Sequence, residues 1–172
     1  PYLREIAAAG VDALKIEGRL KRPEYVATVV RVYRAALDRL AEGREQLLEP
    51  EEVRDLAQIF NRGFTPGYLQ GPPGRSLMSY TRPNNRGLQI GRVRSYDPRR
   101  GLAFVALEED VRAGDGLEFW TSAGGRLGVE VRELVLDGRV TGEAPAGAVA
   151  GIRVPRPVGL GDRVFRTHDA RL

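Results

Sequence analysis

Along the chain the apolar positions follow a helical repeat up to about residue 70 and an alternating, two-residue repeat beyond residue 85. The first segment, Tyr2-Leu3-Arg4-Glu5-Ile6-Ala7-Ala8-Ala9-Gly10, predicts two turns of helix closed by a glycine C-cap. Asp12-Ala13-Leu14-Lys15-Ile16 is a short apolar run that predicts a buried strand, and Glu17-Gly18-Arg19 turns away from its C-terminal end. Pro23 suits the first position of a long helix. Val26, Val29/Val30, Tyr33, Leu37 and Leu40 fall on one face of it, Glu24, Thr28, Arg31, Asp38 and Glu42 on the other, and Gly43 ends it. Glu49-Pro50-Glu51-Glu52 opens a shorter helix through Ile59, with its acidic residues where the helix dipole favours them. Gly71-Pro72-Pro73-Gly74 is the strongest linker signal in the chain.

In the second half, Leu88 and Ile90 alternate with Gln89, and the apolar phase slips to Val93 across Gly91, the mark of a bulged strand in a curved sheet. Further strands are predicted over Leu102–Leu107, Leu117–Trp120, Leu127–Leu136, Ala150–Val154 and Val164–Phe165, with turns at Asp97-Pro98, Gly124-Gly125 and Asp137-Gly138. Short strands so spaced predict a small antiparallel barrel or sandwich. Val111-Arg112-Ala113-Gly114-Asp115-Gly116-Leu117 is echoed by Val158-Gly159-Leu160-Gly161-Asp162-Arg163-Val164. Gly-Asp is common turn chemistry before a strand, and a structural role outweighs ligand binding at these two aspartates. The division expected is residues 1–70, a linker over 71–84, and a β domain over 85–172.

Composition narrows the chemistry. The 172 residues include no Cys and one His, so disulfides, thiolate catalysis, Cys-ligated zinc and iron–sulfur ligation are closed to this chain, as is a His-rich metal site. No stretch is long and apolar enough to span a bilayer, and a cytoplasmic protein without membrane partners is expected. Charge is unevenly spread. Residues 1–70 carry 11 Lys/Arg against 11 Asp/Glu, whereas residues 71–107 carry 7 Arg (Arg75, Arg82, Arg86, Arg92, Arg94, Arg99 and Arg100) against Asp97 alone. On charge patterning alone a solvated face accounts for that run better than a phosphate-binding stripe.

Three ordered blocks carry a resemblance. Lys15-Ile16-Glu17-Gly18-Arg19-Leu20-Lys21-Arg22-Pro23-Glu24-Tyr25-Val26, Asn61-Arg62-Gly63-Phe64-Thr65-Pro66-Gly67-Tyr68 and Arg82-Pro83-Asn84-Asn85-Arg86-Gly87 resemble motifs of the collagenase-like peptidase family U-32. The resemblance implies an α+β chain. Residues 1–42 would be the final αβα portion of a (β/α) barrel, followed by a helical connector and a small antiparallel β-barrel similar to those of translation factors. It implies that the cysteine-bearing catalytic part, with its iron–sulfur cluster in several branches, lies in a missing N-terminal domain, which would be a partner of these residues. No cofactor is expected in the residues present. A chain cut from a longer protein also fits the absence of an initiator Met and a first helix of only two turns.

In such a barrel the active site sits at the C-terminal strand ends, which makes Lys15, Glu17 and Arg19 candidate mouth residues, with a Glu17–Arg19 ion pair as the structural alternative. Ser76, Ser79 and Thr81 lack a neighbouring His or a nucleophile-elbow sequence. The family chemistry implied is either proteolysis of collagen-like substrates or prephenate-dependent RNA hydroxylation. Arg62, Arg82, Asn84, Asn85, Arg86, Arg92 and Arg94 are the candidate substrate-binding or nucleic-acid-binding residues, since guanidinium and amide groups beside Tyr80 suit phosphates and unstacked bases. The expected role is an accessory substrate-recognition region, not catalytic by itself. RNA and peptide both stay open as its substrate, and a purely structural or dimerisation module is the third reading. Self-association through residues 1–42 is expected, because the strand Ala13–Ile16 would present an unpaired apolar edge that tends to find another chain.

Overall fold

A computed structural model describes residues 2–60, 64–72, 87–122 and 124–172. The chain divides into two compact units, Pro1–Asn85 and Arg86–Arg171.

The first unit contains helices α1 (Leu3–Ala8), α2 (Pro23–Ala41) and α3 (Pro50–Ile59). Pro23 occupies the first turn of α2, where its missing N–H costs nothing. At α3 the Glu49 side chain accepts the N–H of Glu52 while the Glu52 carboxylate accepts the Glu49 N–H at 2.8 Å, a reciprocal capping box. The buried stripe of α2 is Thr28, Val29, Val32 and Ala36. It is rotated from the expected one, and Val26, Val30 and Tyr33 are 39%, 47% and 40% exposed. The rotation follows from the contacts with α3. Arg39, at the end of the buried stripe, grips Glu52 with two guanidinium bonds of 2.6 and 3.1 Å and donates to the Leu47 carbonyl at 3.0 Å. At the other end Tyr25 meets Phe60 edge to face, and Lys21 Nζ stands 3.3 Å above the Phe60 ring.

The Arg39 hydrogen bond holds the Glu52 carboxyl below its ordinary range, against a smaller opposing effect of burial. The pair therefore contributes fully above about pH 4.3, the unfolded Glu value, and is lost as pH falls through the lower folded value. Glu52→Gln is expected to reduce helicity at neutral pH and to flatten this acid-side loss, followed by far-ultraviolet circular dichroism. A variant with an unchanged acid profile would show that the pair contributes nothing.

The strand expected over Ala13–Ile16 is absent. Residues 11–18 are irregular and mostly exposed, and no strand is described in this unit to satisfy its backbone groups. The unpaired edge expected to drive self-association is therefore not formed. The apolar surface that residues 1–42 do offer on α2 is the row Val26, Val30 and Tyr33.

The second unit is one antiparallel sheet that curls into a half-barrel. Its strands are β1 (Leu88–Asp97), β2 (Leu102–Leu107), β4 (Gly116–Trp120), β5 (Arg126–Glu130), β6 (Leu134–Leu136), β7 (Arg139–Thr141), β9 (Val149–Arg153) and β10 (Arg163–His168), while β3 (Val111–Arg112) pairs separately with β8 (Glu143–Ala144). The spatial order is β5-β4-β10-β1-β2-β9-β6-β7, and no described ladder joins β5 to β7. Ile90, Val93, Val105, Leu117, Phe119, Leu134, Ile152 and Val164 fill the concave side. The bulge expected at Gly91 is present, as a register shift between Gln89 and Gly91 against β10. A second shift, between Val93 and Ser95 against β2, places Arg94 at the irregularity. The run 127–136 breaks into β5 and β6 because Val131, between them, is held on both sides: its N–H donates to Asp115 O at 2.8 Å and its carbonyl accepts Gly114 N–H at 2.7 Å. Asp137 and Gly138, with φ of 49° and 77°, make the two-residue hairpin turn expected of Asp-Gly.

The sequence echo is one structural device used twice. Asp115 accepts the Arg112 N–H at 3.1 Å and the Ala170 N–H at 3.0 Å, and Asp162 accepts the Gly159 N–H at 2.7 Å and the Ser122 N–H at 2.8 Å. Gly161 N–H donates to Val93 O and Val93 N–H to Asp162 O, repeating the bonds around Val131. Each aspartate is thus capped by a residue just beyond the other loop's strand, which ties β4 and β10 together at both ends. Both carboxylates are occupied by backbone donors, which is the structural role expected of the motif.

Candidate nucleic-acid interface

Arg92 points away from the core because its neighbour Val93 is buried and the pleat alternates. The ladders line up its cross-strand neighbours. Arg92 pairs with Arg163 on β10, Arg163 with Trp120 on β4, and Trp120 with Arg126 on β5. The flanking positions Val164, Phe119 and Leu127 are core residues, so all four side chains share the convex face. Within this row Trp120 packs against Phe165 with ring centroids 4.2 Å apart, and the Arg126 and Arg163 guanidiniums lie 4.8 and 5.1 Å from the Trp120 ring. Glu118, one row behind, accepts the Trp120 indole N–H at 2.6 Å and pairs with Arg126 at 2.9 Å. Among the described residues neither Arg92, Arg94 nor Arg163 has a carboxylate partner.

The sequence-predicted residues are only partly brought together. Arg92 and Arg94 are exposed on β1, but the bulge at Arg94 breaks the simple i, i+2 relation between them. Arg62, Tyr80, Arg82, Asn84, Asn85 and Arg86 lie outside the described residues. Lys15, Glu17 and Arg19 are exposed on the irregular segment before α2, where Glu17 Oε1 accepts the Arg19 backbone N–H at 3.0 Å. The turn is closed by this side chain to main chain bond, and no Glu17–Arg19 ion pair is among the described ones. The sequence reading missed Trp120, Arg126 and Arg163. Nothing in the local pattern reports strand register, and only the ladder sets these three beside Arg92.

The described residues bring no three His, Cys, Asp or Glu side chains together as a metal would need. With no Cys in the chain, these residues do not fit an iron–sulfur cluster. No described helix is long and apolar enough to cross a membrane.

Comparison with known proteins bears on what such a face serves. The model of peptidase family U32 matches residues 1–79. A collagenase of Porphyromonas gingivalis is 29% identical over 174 residues, covering 96% of this chain and 41% of the relative. The chain belongs to the U32 family. Its U32 relatives also include proteins named for tRNA hydroxylation. The tRNA hydroxylation protein P of Escherichia coli is 31% identical over 127 residues, 72% of this chain and 27% of its own length. The tRNA hydroxylation protein P1 of Bacillus subtilis is 31% identical over 114 residues, 64% of this chain and 27% of that protein. This U32 chain spans between about a quarter and a half of the length of the curated relatives it matches. Among solved structures, the C-terminal domain of a Geobacillus thermoleovorans protein named as a U32 peptidase superposes with a TM-score of 0.43 at 22% identity, over 46% of this chain and 91% of that one. The GTPase-like domain of Saccharomyces cerevisiae Ski7 reaches 0.33 at 10% identity, over 63% of this chain and 31% of the other. Both likenesses are too loose to add to the ladders described above.

Proposed function

We propose that this U32 chain is an accessory substrate-recognition region, not catalytic by itself, and that its β unit contacts RNA. The observation that carries the reading is the group of exposed arginines without carboxylate partners, Arg92, Arg94 and Arg163, on and beside one strand. Exposed cations that neutralise no neighbour are the groups that release counterions from a phosphate backbone. Arg62, Arg82, Asn84, Asn85 and Arg86 extend this proposal from the sequence. Lys15, Glu17 and Arg19 are proposed as mouth residues of the barrel in the whole protein. Its chemistry, peptide hydrolysis or prephenate-dependent RNA hydroxylation, is assigned to the part these residues lack, together with any iron–sulfur centre.

The chain is expected to bind transfer RNA with a log K that falls with log salt by about 0.7 per phosphate contacted in a single strand. Arg92→Glu with Arg94→Glu should weaken binding and reduce the slope by about 1.4, two contacts at that value. Fluorescence anisotropy of labelled RNA across a salt series measures both. An unchanged slope in the double variant, or no binding in low salt, removes the reading. A peptide substrate is the second reading, supported by the collagenase's match across 96% of this chain.

A further inference from the structure

We infer that one end of the β unit, formed by residues 97–101, 124–126 and 153–163, is the surface that meets the phosphate backbone of RNA, with Arg99 and Arg100 of the β1–β2 hairpin as its leading contacts. This deepens the RNA-contact reading and rests on it.

Hydrogen bonds gather the loops of the β unit into two groups, at opposite ends of β1 and β2. In one group Arg100 O accepts Arg153 Nη1 at 3.0 Å and Gly101 O accepts the Val154 N–H at 2.9 Å. Arg126 O accepts Arg156 Nη2 at 2.6 Å, and Asp162 accepts the Ser122 N–H at 2.8 Å. The hairpin after β1 is thereby tied to the segments that follow β9 and precede β5. In the other group Asp110 accepts the Ala146 N–H at 2.8 Å, Asp115 accepts the Ala170 N–H at 3.0 Å, and the Ala113 N–H donates to Gly142 O at 2.8 Å. Those bonds join segments 108–115, 142–147 and 168–171.

The two ends differ in sign. The first carries Arg99, Arg100, Arg126, Arg153, Arg156 and Arg163 against Asp97 and Asp162. The second carries Glu108, Glu109, Asp110, Asp115, Glu143 and Asp169 against Arg112 and Arg171. Local pairing does not erase the difference. Arg126 is engaged by Glu118 and Arg153 by Glu133, yet Arg99, Arg100 and Arg156 are exposed and have no carboxylate partner among the described residues. Asp97 accepts the backbone N–H groups of Arg99 and Arg100 at 2.9 and 3.2 Å, which fixes the turn and leaves both side chains exposed. At the other end Asp115 and Asp169 pair with Arg166, while Glu108, Asp110 and Glu143 are exposed. At about 3.3 Å per residue, roughly 30 Å of extended chain separates the two ends of β1. That is well beyond the Debye length of about 8 Å at physiological salt, so each end acts by its own charge. A polyanion is drawn to one and repelled by the other. Guanidiniums presented from a turn engage phosphates, which position a nucleic acid without reading its sequence.

Charge-matched double variants of the 172-residue chain test the surface, with labelled transfer RNA followed by anisotropy across a salt series. Arg99→Gln with Arg100→Gln is expected to weaken binding and to lower the salt slope by about 1.4, two contacts at about 0.7 each. Arg112→Gln with Arg139→Gln removes the same charge from the opposite end and should leave slope and affinity unchanged. Glu108→Gln with Glu143→Gln, which makes the chain more basic there, should not strengthen binding. On the native chain, bound RNA should protect Arg99 and Arg100, but not Arg112 and Arg139, from an arginine-specific dicarbonyl reagent read by mass spectrometry. This measurement decides even if a variant fails to fold. RNA binding that depends on Arg92 and Arg94, yet ignores the Arg99 and Arg100 substitutions and leaves both unprotected, overturns the surface and spares the RNA-contact reading. Equal losses in the two arginine doubles would mean attraction by net charge alone and also overturn the surface. No RNA binding in low salt overturns both. A gelatin-derived peptide that protects Arg99 and Arg100 where transfer RNA does not gives this end to a peptide and overturns the surface as an RNA contact.

Discussion

Gly91→Ala is expected to lower the stability of the β unit by about 3 kcal/mol or more, while Gly128→Ala changes it by no more than about 0.5 kcal/mol. Gly91 has φ of 155°, which L side chains rarely adopt, and lies at the β1 bulge. A Cβ there would overlap the Ala106 carbonyl oxygen and come within 3.1 Å of both the Ala106 carbonyl carbon and Val105 Cγ1. The obstacle is main chain in the central β1–β2 ladder, so relief requires separating the two strands. Gly128, on the edge strand β5, would place its Cβ in open space. Gly87 is a second case like the first, since its Cβ would overlap the Arg166 carbonyl oxygen at φ of 66°. Urea unfolding followed by Trp120 fluorescence reads the β unit specifically, because the lone tryptophan sits in β4. Equal tolerance of alanine at 91 and 128 would mean that β1 does not approach β2 so closely.

The same glycine shows how much of the fold is legible without coordinates. The phase slip from Ile90 to Val93 reveals the bulge because core positions on a strand must alternate, and an extra residue shows wherever they do not. β2 is legible from Leu102 to Leu107 as a short uninterrupted apolar run, along which buried and less buried residues alternate from Ala103 onward. β3, β7 and β8, of two or three residues each, carry too few positions for a period to appear. The run from 127 to 136 is apolar enough to suggest one strand, and the interruption at Val131 is imposed from outside it by Asp115 and Gly114. Ala13–Ile16 fails in the opposite sense. Its composition suits a strand, but a strand is a property of a pair, and the described residues of this unit contain no partner. The candidate site divides in the same way. Arg92 is legible as an exposed cation on a strand, whereas Arg163 and Trp120 become its neighbours only through the β1–β10 and β10–β4 registers.

The two aspartate-capped loops separate the effect of lost hydrogen bonds from that of a stranded charge. Asp162→Ala leaves the Ser122 and Gly159 N–H groups without their acceptor, at a cost of about 2–3 kcal/mol. Asp115→Ala strands the equivalent Arg112 and Ala170 N–H groups, and in addition removes a carboxylate 3.5 Å from the Arg166 guanidinium, which is 3% exposed. Arg166 keeps Asp169 at 3.2 Å and the Asp110 carbonyl at 2.8 Å. Asp169 is in turn shared with Arg171 at 2.9 Å. Burial pushes the Asp169 carboxyl up, but its bonds to Arg171 and the nearby Arg166 charge outweigh that and hold it below the ordinary range. Among the described ion pairs, removing Asp115 leaves the Arg166 and Arg171 guanidiniums sharing the Asp169 carboxylate, and the expected cost rises to about 3–5 kcal/mol. A double-mutant cycle tests the division of effects: Arg166→Met should recover part of the loss in Asp115→Ala and none of the loss in Asp162→Ala, as read by urea midpoints. Equal costs at 115 and 162, with strictly additive behaviour toward Arg166→Met, would show that the buried charge is not what distinguishes the loops.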